Sequence, residues 1–475
     1  MIKVIEKAKI KTEEISFQTP NSQSADIMVQ SFDYVPYVYI RKLNDTTTNP
    51  PIIGTSIDPK TDIIYLKLHN SHFLPEIELF CTDSKGILFN DLYPFDNDTL
   101  LCIFVKSNSD NIMPIRMDFK IIHYETINSG EPTSFKYLIK GILNVEHLYY
   151  TRYETYKGTS YDVIKGLAAK MDLGFASNVN SSNDSMTWIN PSDTYLDLIN
   201  DITKYSFISE DSIVWSFIDF YYNINYIDIQ TELNEFNEEE EGTLTNPQIV
   251  KNDEERNVIL YLTNNKALNM TNKYISKFNL VNQSSKVNLN IYYQIEGTWY
   301  DKTTNVVTKQ FIKELESDSA KLSAGEGTLR QLIDKGSALY KENVNDEYFI
   351  GKMDEDNVHK NYSLAKIANN HNLDSLEKMK MVVTLSQINF SIKRFQNIKI
   401  EIYNYQDLLS QSANKNNPLD NINTKLSGYW FVTGINYIYR KSGGHEQELT
   451  LVRRDLSLDY GTGNDQRNDL RSLKK

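Results

Sequence analysis

Cysteine is nearly missing from this chain of 475 residues. It has two, Cys81 and Cys102, too few for a disulfide framework and without a metal-ligand spacing. A basic excess is missing too: the formal net charge is −13, which argues against a general nucleic-acid-binding surface, since that needs clustered Lys and Arg. No stretch approaches 18 consecutive apolar residues, so no membrane span is expected. The opening MIKVIEKAKIKTEE has no apolar core and no small-residue cleavage site, so no signal peptide is expected and synthesis in a cytoplasm is.

Catalytic and metal-binding motifs are missing as well. None of the seven His falls in an H-E-x-x-H, H-x-x-x-H or Cys/His spacing. The nearest pair, His69 and His72, would point to opposite faces of a strand. Gly325-Glu326-Gly327 is not followed by Gly-Lys-Ser/Thr, so it is no phosphate loop, and no G-x-S-x-G elbow occurs. Asp193, Asp197 and Asp201 recur every four residues, which would put them on one helical face away from Tyr195, Ile199 and Ile202. That is a solvated face rather than a carboxylate pair with one raised pKa. The acidic runs 238–241 and 253–255 read as a solvated linker within 233–256. We therefore expect no catalytic, cofactor-binding or metal-ligating residue, and not an enzyme.

What is present is strand. Hydrophobic residues make up 40% and aromatics 12%, with 31 Tyr against 4 Trp; this is enough to bury real cores, and the length suggests roughly three domains. Tyr suits both strands and interfaces. After a polar lead-in, the segments ADIMVQSFDYVPYVYIRKL, DIIYLKLHN, EIELFCTD, LLCIFVKS, IRMDFKIIHYETI and FKYLIKGILNVEHLYY alternate apolar and polar at period two. Turn signals separate them, Asp83-Ser84-Lys85-Gly86 and Asn128-Ser129-Gly130 among these.

The stretch 159–229 breaks that pattern. Thr159 with Asp162 is a capping signature, Val163, Ile164, Leu167, Ala168 and Met171 share a helical face, and Gly174 sits where a C-terminal cap belongs. A second helix is expected from Ser192, burying Tyr195, Leu198, Ile199 and Ile202. Two strands follow, at 213–219 and 222–229. Strands return at 257–300, then a mixed, helical pattern from Thr308 to Lys341, and a helical patch with Leu364, Ile367 and Ala368 on one face. The last strands are MVVTLSQINFSI, QNIKIEIYNY, GYWFVTGINYIYR and EQELTLVRRDL. Past Tyr460 no apolar periodicity remains.

TSYDVIKGLAAKMDLGFASN, NDSMTWINPSDTYLDLINDIT and the closing GYWFVTGINYIYRKSGGHEQELTLVRRDL resemble a central baseplate hub protein of contractile-tailed bacteriophages, the family that includes the hub part of VgrG-like spikes. The resemblance implies an α+β, mainly β chain: two tube-protein-like β-barrels, with a mixed α/β middle domain interrupting the second. It places the lead-in at 1–24, the first barrel at 25–150, the second at 257–300 plus 380–458, the middle domain at 151–256 plus 301–379, and a mobile tail at 459–475. It implies a homotrimer adapting the sixfold tail tube to the threefold central spike, with tube, spike and wedge proteins as partners and genomic DNA passing through the lumen unbound. An acidic wall suits that passage. The same fold in a non-viral contractile injection system, or a receptor- or carbohydrate-binding tail protein, are the other readings. No lysozyme-like or glycine-rich spike segment follows residue 460.

Overall fold

The computed structural model describes residues 2–9, 37–42, 56–57, 63–84, 86–91, 93–96, 98–105, 115–128, 130, 134–209, 212–234, 258–262, 273–282, 294–301, 305–314, 344–350, 379–389, 392–403, 423, 426–440 and 444–453. It also describes single positions between 358 and 377. The chain is mainly β. A short strand β1 (Lys3–Glu6) is followed by β2 (Tyr37–Lys42), β3 (Ser56–Ile57), β4 (Ile63–Asn70), β5 (Glu76–Asp83), helix α1 (Ile87–Asp91), β6 (Thr99–Val105), β7 (Ile115–Asn128) and β8 (Phe135–Leu143). The middle of the chain supplies β9 (Thr151–Gly158), α2 (Ser160–Lys170), β10 (Gly174–Ser177), β11 (Met186–Thr194), α3 (Tyr195–Tyr205), β12 (Val214–Ile218), β13 (Asn223–Asp228) and α4 (Ile229–Asn234). Then come β14 (Ile259–Leu262), β15 (Ile275–Asn282), β16 (Gln294–Asp301), β17 (Val306–Glu314), β18 (Val344–Ile350), β19 (Met379–Leu385), β20 (Asn397–Ile402), β21 (Gly428–Arg440) and β22 (Gly444–Arg453).

Period-two alternation becomes strand, as in β5, where every second side chain is buried. The early and late strand sets share one 13-stranded sheet, ordered β15-β19-β22-β21-β4-β5-β8-β7-β6-β2-β3, with β20 on β21 and β14 on β20. The link between the sets is β21 against β4, antiparallel from Ile435↔Asn70 to Arg440↔Tyr65. One continuous core runs from Leu66, Leu79 and Ile139 through Ile164, Leu167 and Ile199 of the helices to Met381, Val432 and Leu451.

The middle unit is a four-stranded sheet, β1-β10-β13-β12, and a separate ribbon of β9 with β11. β13 is buried on both faces, as a central strand covered on each side must be. Residues 3–6, expected as part of a lead-in, are instead the edge strand of this sheet, antiparallel to β10.

Both helix caps are threonines. Thr159 accepts from the Asp162 amide at 3.2 Å, and Thr194 from the Asp197 amide at 3.2 Å. The buried helix residues match those expected for both helices. Three details differ. Helix α3 begins at Tyr195 rather than Ser192, because Asn190 Oδ1 accepts from the Asp193 amide at 2.8 Å and holds 190–193 in a bulge at the end of β11, whose pairing with β9 slips between Pro191 and Thr194. Asp193 therefore lies on β11, and the expected three-Asp helical row is reduced to exposed Asp197 and Asp201. Gly174 is not the cap of α2: Asp172 takes the left-handed conformation at φ 57, with Leu173 N–H on Ala168 O and Asp172 N–H on Ala169 O, the Schellman arrangement.

Helix α1 has no counterpart in the expected pattern; Asp83 Oδ2 accepts from the Leu88 amide at 2.8 Å and nucleates it. Residues 294–300, expected with the late strand set, pair instead with β17 and β18 in a three-stranded sheet, where both edges of β16 are taken. β17 is a strand where a mixed, helical pattern was expected. Leu364, Ile367 and Ala368, the acidic run 238–241, and Gly325-Glu326-Gly327 lie outside the described residues.

Candidate functional site

The place where the early strands, the middle unit and the late strands meet is built around Arg394, just before β20. Its guanidinium is buried and donates to three backbone carbonyls: Nε to Thr433 at 2.7 Å, Nη2 to Ser71 at 2.7 Å, and Nη1 to His72. Ser71 and His72 belong to the turn between β4 and β5; Thr433 belongs to β21. The cation also stacks on Phe217 of β12, 4.8 Å from the ring centroid, and on Phe395 at 4.6 Å. Burial pushes its pKa down to about 9, so it stays charged at neutral pH.

Local sequence prepares this socket. The β21–β22 register slips between Val432 and Gly434, leaving Thr433 as an inserted residue whose carbonyl is free of the ladder. Gly434 lets the turn approach: a Cβ there would stand 3.1 Å from Ser71 Cβ. Phe395 adopts φ 62 and donates its amide to Val432 O at 2.7 Å, while the Val432 amide donates to Gln396 O at 3.0 Å. The same turn fixes the middle unit, because Phe73 O accepts from the Ile218 amide at 2.7 Å. One cation thus fastens three parts of the chain with donors in fixed directions, which a planar guanidinium supplies and an ammonium does not.

A second polar centre locks the middle unit. Buried Asp184 accepts from the Ser160 amide (2.9 Å), Ser160 Oγ (2.5 Å), Ser182 Oγ (2.7 Å) and the Phe207 amide (2.8 Å). Tyr226 OH lies 2.8 Å from Ser160 Oγ; burial raises that phenol first, and the Asp184 charge adds to it. Ser160 is committed to structure here, with its hydroxyl hydrogen bonded inside a buried network rather than aimed at a cleft. On the ribbon, hydrogen bonds from Tyr156 and Lys170 hold the Glu154 carboxyl below its usual range; the Lys170 bond at 2.9 Å ties β9 to α2, and Tyr195 OH at 3.2 Å ties it to α3.

The late helical positions dock on the end of α3. Asn369 Nδ2 donates to the carbonyls of Lys204 (3.2 Å) and Ser206 (3.0 Å), and its Oδ1 accepts from the Val214 amide at 3.1 Å. His359 Nε2 lies 3.0 Å from Tyr205 O, and Tyr362 stacks on Tyr205 at 3.9 Å.

His69 and His72 are not brought together. His69 Nδ1 meets Asn436 Oδ1 at 3.1 Å across the β4–β21 seam, and its pKa is lowered first by burial and then by Lys67. His72 leaves the strand and meets Glu76 at 2.8 Å. Cys81 and Cys102 lie buried on β5 and β6. Among the described residues no three His, Cys, Asp or Glu converge as a metal set. Arg394 itself was not singled out from the sequence; between Ile392 and Phe395 stands a basic pair, Lys393-Arg394, and nothing local tells which of the two is buried.

No protein-family model and no curated protein matches the chain. Solved structures do. A tail protein from Neisseria meningitidis is 9% identical, covering 89% of this chain and 97% of its own, at a TM-score of 0.47. The 43 kDa tail protein of prophage MuSo2 from Shewanella oneidensis is 7% identical over 89% of this chain and 100% of its own, also at 0.47. An E. coli component of the type VI secretion system is 9% identical over 85% of this chain and 76% of its own, at 0.40.

Proposed function

We propose that the chain is the central hub of a phage-type tail baseplate, a structural protein. Three copies form a ring that matches the sixfold tail tube to the threefold central spike and leaves a channel for the genome. The observation that carries this is the β21–β4 seam: two strand-rich sets in one chain, continuous through Ile435↔Asn70 to Arg440↔Tyr65, with the helical middle unit between them in sequence. Two strand sets per chain, three times, present six tube-like units. The hub-like segments quoted from the sequence support the same reading.

In this reading each set is a tube-like barrel, completed at its open edges by neighbours. Tail tube, spike and wedge proteins are the partners, and the virion baseplate is the location. A net charge of −13 suits a wall past which DNA moves unbound. Native mass measurement and negative-stain imaging of the purified chain test it; a ring-shaped trimer with a central channel is expected. A chain that stays monomeric at micromolar concentration with tube protein present overturns the hub reading, and turnover of peptidoglycan overturns the non-enzymatic one. The hub of a non-viral contractile injection system is the second reading; it has the same seam between two strand sets and differs in carrying no genome and belonging to no virion.

A further inference from the structure

The four-stranded middle sheet has two edges, and they are finished differently. The β12 edge is sealed by distant parts of its own chain: Asn369 Oδ1 takes the Val214 amide at 3.1 Å and Phe73 O takes the Ile218 amide at 2.7 Å. The other edge, β10, is covered among the described residues by β1, in the register Lys3↔Ser177, Val4↔Ala176 and Glu6↔Phe175. β1 buries none of its four side chains; Val4 is 55% exposed and Ile5 41%. Its anchors are main-chain pairing, the Lys9 amide on Asp172 O at 2.9 Å, a Lys165–Glu6 surface pair at 3.2 Å that contributes little, and the packing of Ile2 and Ala8 at its ends. The acceptor is nonetheless shaped for a strand: a Cβ on Gly174 would lie 2.8 Å from both Ala8 N and Glu6 O.

We propose that the β10 edge is a strand-acceptor site whose occupant in the assembled protein is the N-terminal strand of a second copy of this chain. A strand held by main-chain bonds docks with the same bonds whichever copy supplies it, so exchange links copies at little cost. Residues 10–36 join β1 to β2, and a stretch of that length can reach on the order of 90 Å, more than enough to cross to a neighbour. Exchange also places the exposed Val4 and Ile5 where two copies meet. The inference rests on the multi-copy reading above.

Val4→Cys and Ala176→Cys are placed in separate chains, directly opposite across the β1–β10 pair, at a spacing a disulfide spans. The two purified single variants are mixed, dissociated and reassembled, oxidised, and run without reductant; the unsubstituted chain controls for Cys81 and Cys102. Disulfide-linked dimers carrying one chain of each variant are expected. A Val4→Cys/Ala176→Cys double variant should give covalent chains of two or three copies. Lys3→Cys with Ser177→Cys repeats the test one register step away if the first pair perturbs folding. A trimer in the mass measurement whose double variant closes only within single chains overturns the exchange and leaves the hub reading standing; a monomer before oxidation overturns the hub reading.

Discussion

Arg394 Nε donates to the carbonyl of Thr433 at 2.7 Å, and Thr433 is the single residue of β21 skipped in its pairing with β22. The inserted residue frees a carbonyl, and the buried cation takes it together with two carbonyls of the turn after β4. Arg394→Met keeps the volume and removes every donor, leaving three carbonyls unpaired at about 1–3 kcal/mol for each one that stays buried. A loss of about 3 kcal/mol or more is expected in urea unfolding. Arg394→Lys keeps charge but not the fork, and should fall between the two. A methionine variant with the parent's urea midpoint would show that the joint carries no stability.

Val432 lies inside β21, and its amide donates to Gln396 O at 3.0 Å. Val432→Pro deletes that donor and forces the ring against the neighbouring chain. A loss of about 2–4 kcal/mol, or failure to assemble, is expected from thermal unfolding and native mass measurement. A variant that assembles and melts like the parent would contradict the strand pairing at this position.

Gly174 is needed for close approach rather than for turn geometry. A Cβ there would fall 2.0 Å from Asn223 Oδ1 and 2.8 Å from Ala8 N and Glu6 O. Gly174→Ala should displace the N-terminal strand, with limited proteolysis cutting near residue 9 well before the parent is cut. Asn223 belongs to β13 and is also bonded to Asp219, so about 1–3 kcal/mol of global stability should be lost as well. Unchanged cleavage kinetics would mean that the strand adjusts around the methyl group.

Much of the local structure could be read from residue order, because caps and alternation are local chemistry. Thr159 caps where a hydroxyl three residues before an Asp should, and β5 and β8 follow their alternation. Side-chain turns were harder. Asn190 delays α3 by holding Asp193, and Asp172 takes the left-handed position that Gly174 was expected to fill. Pairing between distant strands was illegible: nothing local in 435–440 marks 65–70 as its partner. Arg394 was invisible for a related reason, since its three acceptors come from Ser71, His72 and Thr433 and no spacing in the chain brings them together.

His359 offers a test by pH. Its Nε2 lies 3.0 Å from Tyr205 O, its ring faces Trp188 and Tyr362, and Asp184 is the charged group acting on it. Burial lowers its pKa below the usual 6.5, more than the Asp184 charge raises it. A folded pKa below the unfolded one means that the unfolded chain binds the proton more readily. The contribution to stability is therefore full above about pH 6.5 and lost as pH falls through the folded value. Asp219 and Asp228 act in the opposite sense, because burial raises their carboxyls: their contribution is full below the ordinary carboxylate range and lost as pH rises through their folded values. The test is accordingly a difference between parent and His359→Gln, whose amide keeps a donor for Tyr205 O. Hydrogen exchange at residues 203–206 should quicken in the parent between pH 7.5 and 5.0, after correction for the intrinsic rate, and should change little in the variant. Equal acceleration in both would remove His359 as the cause.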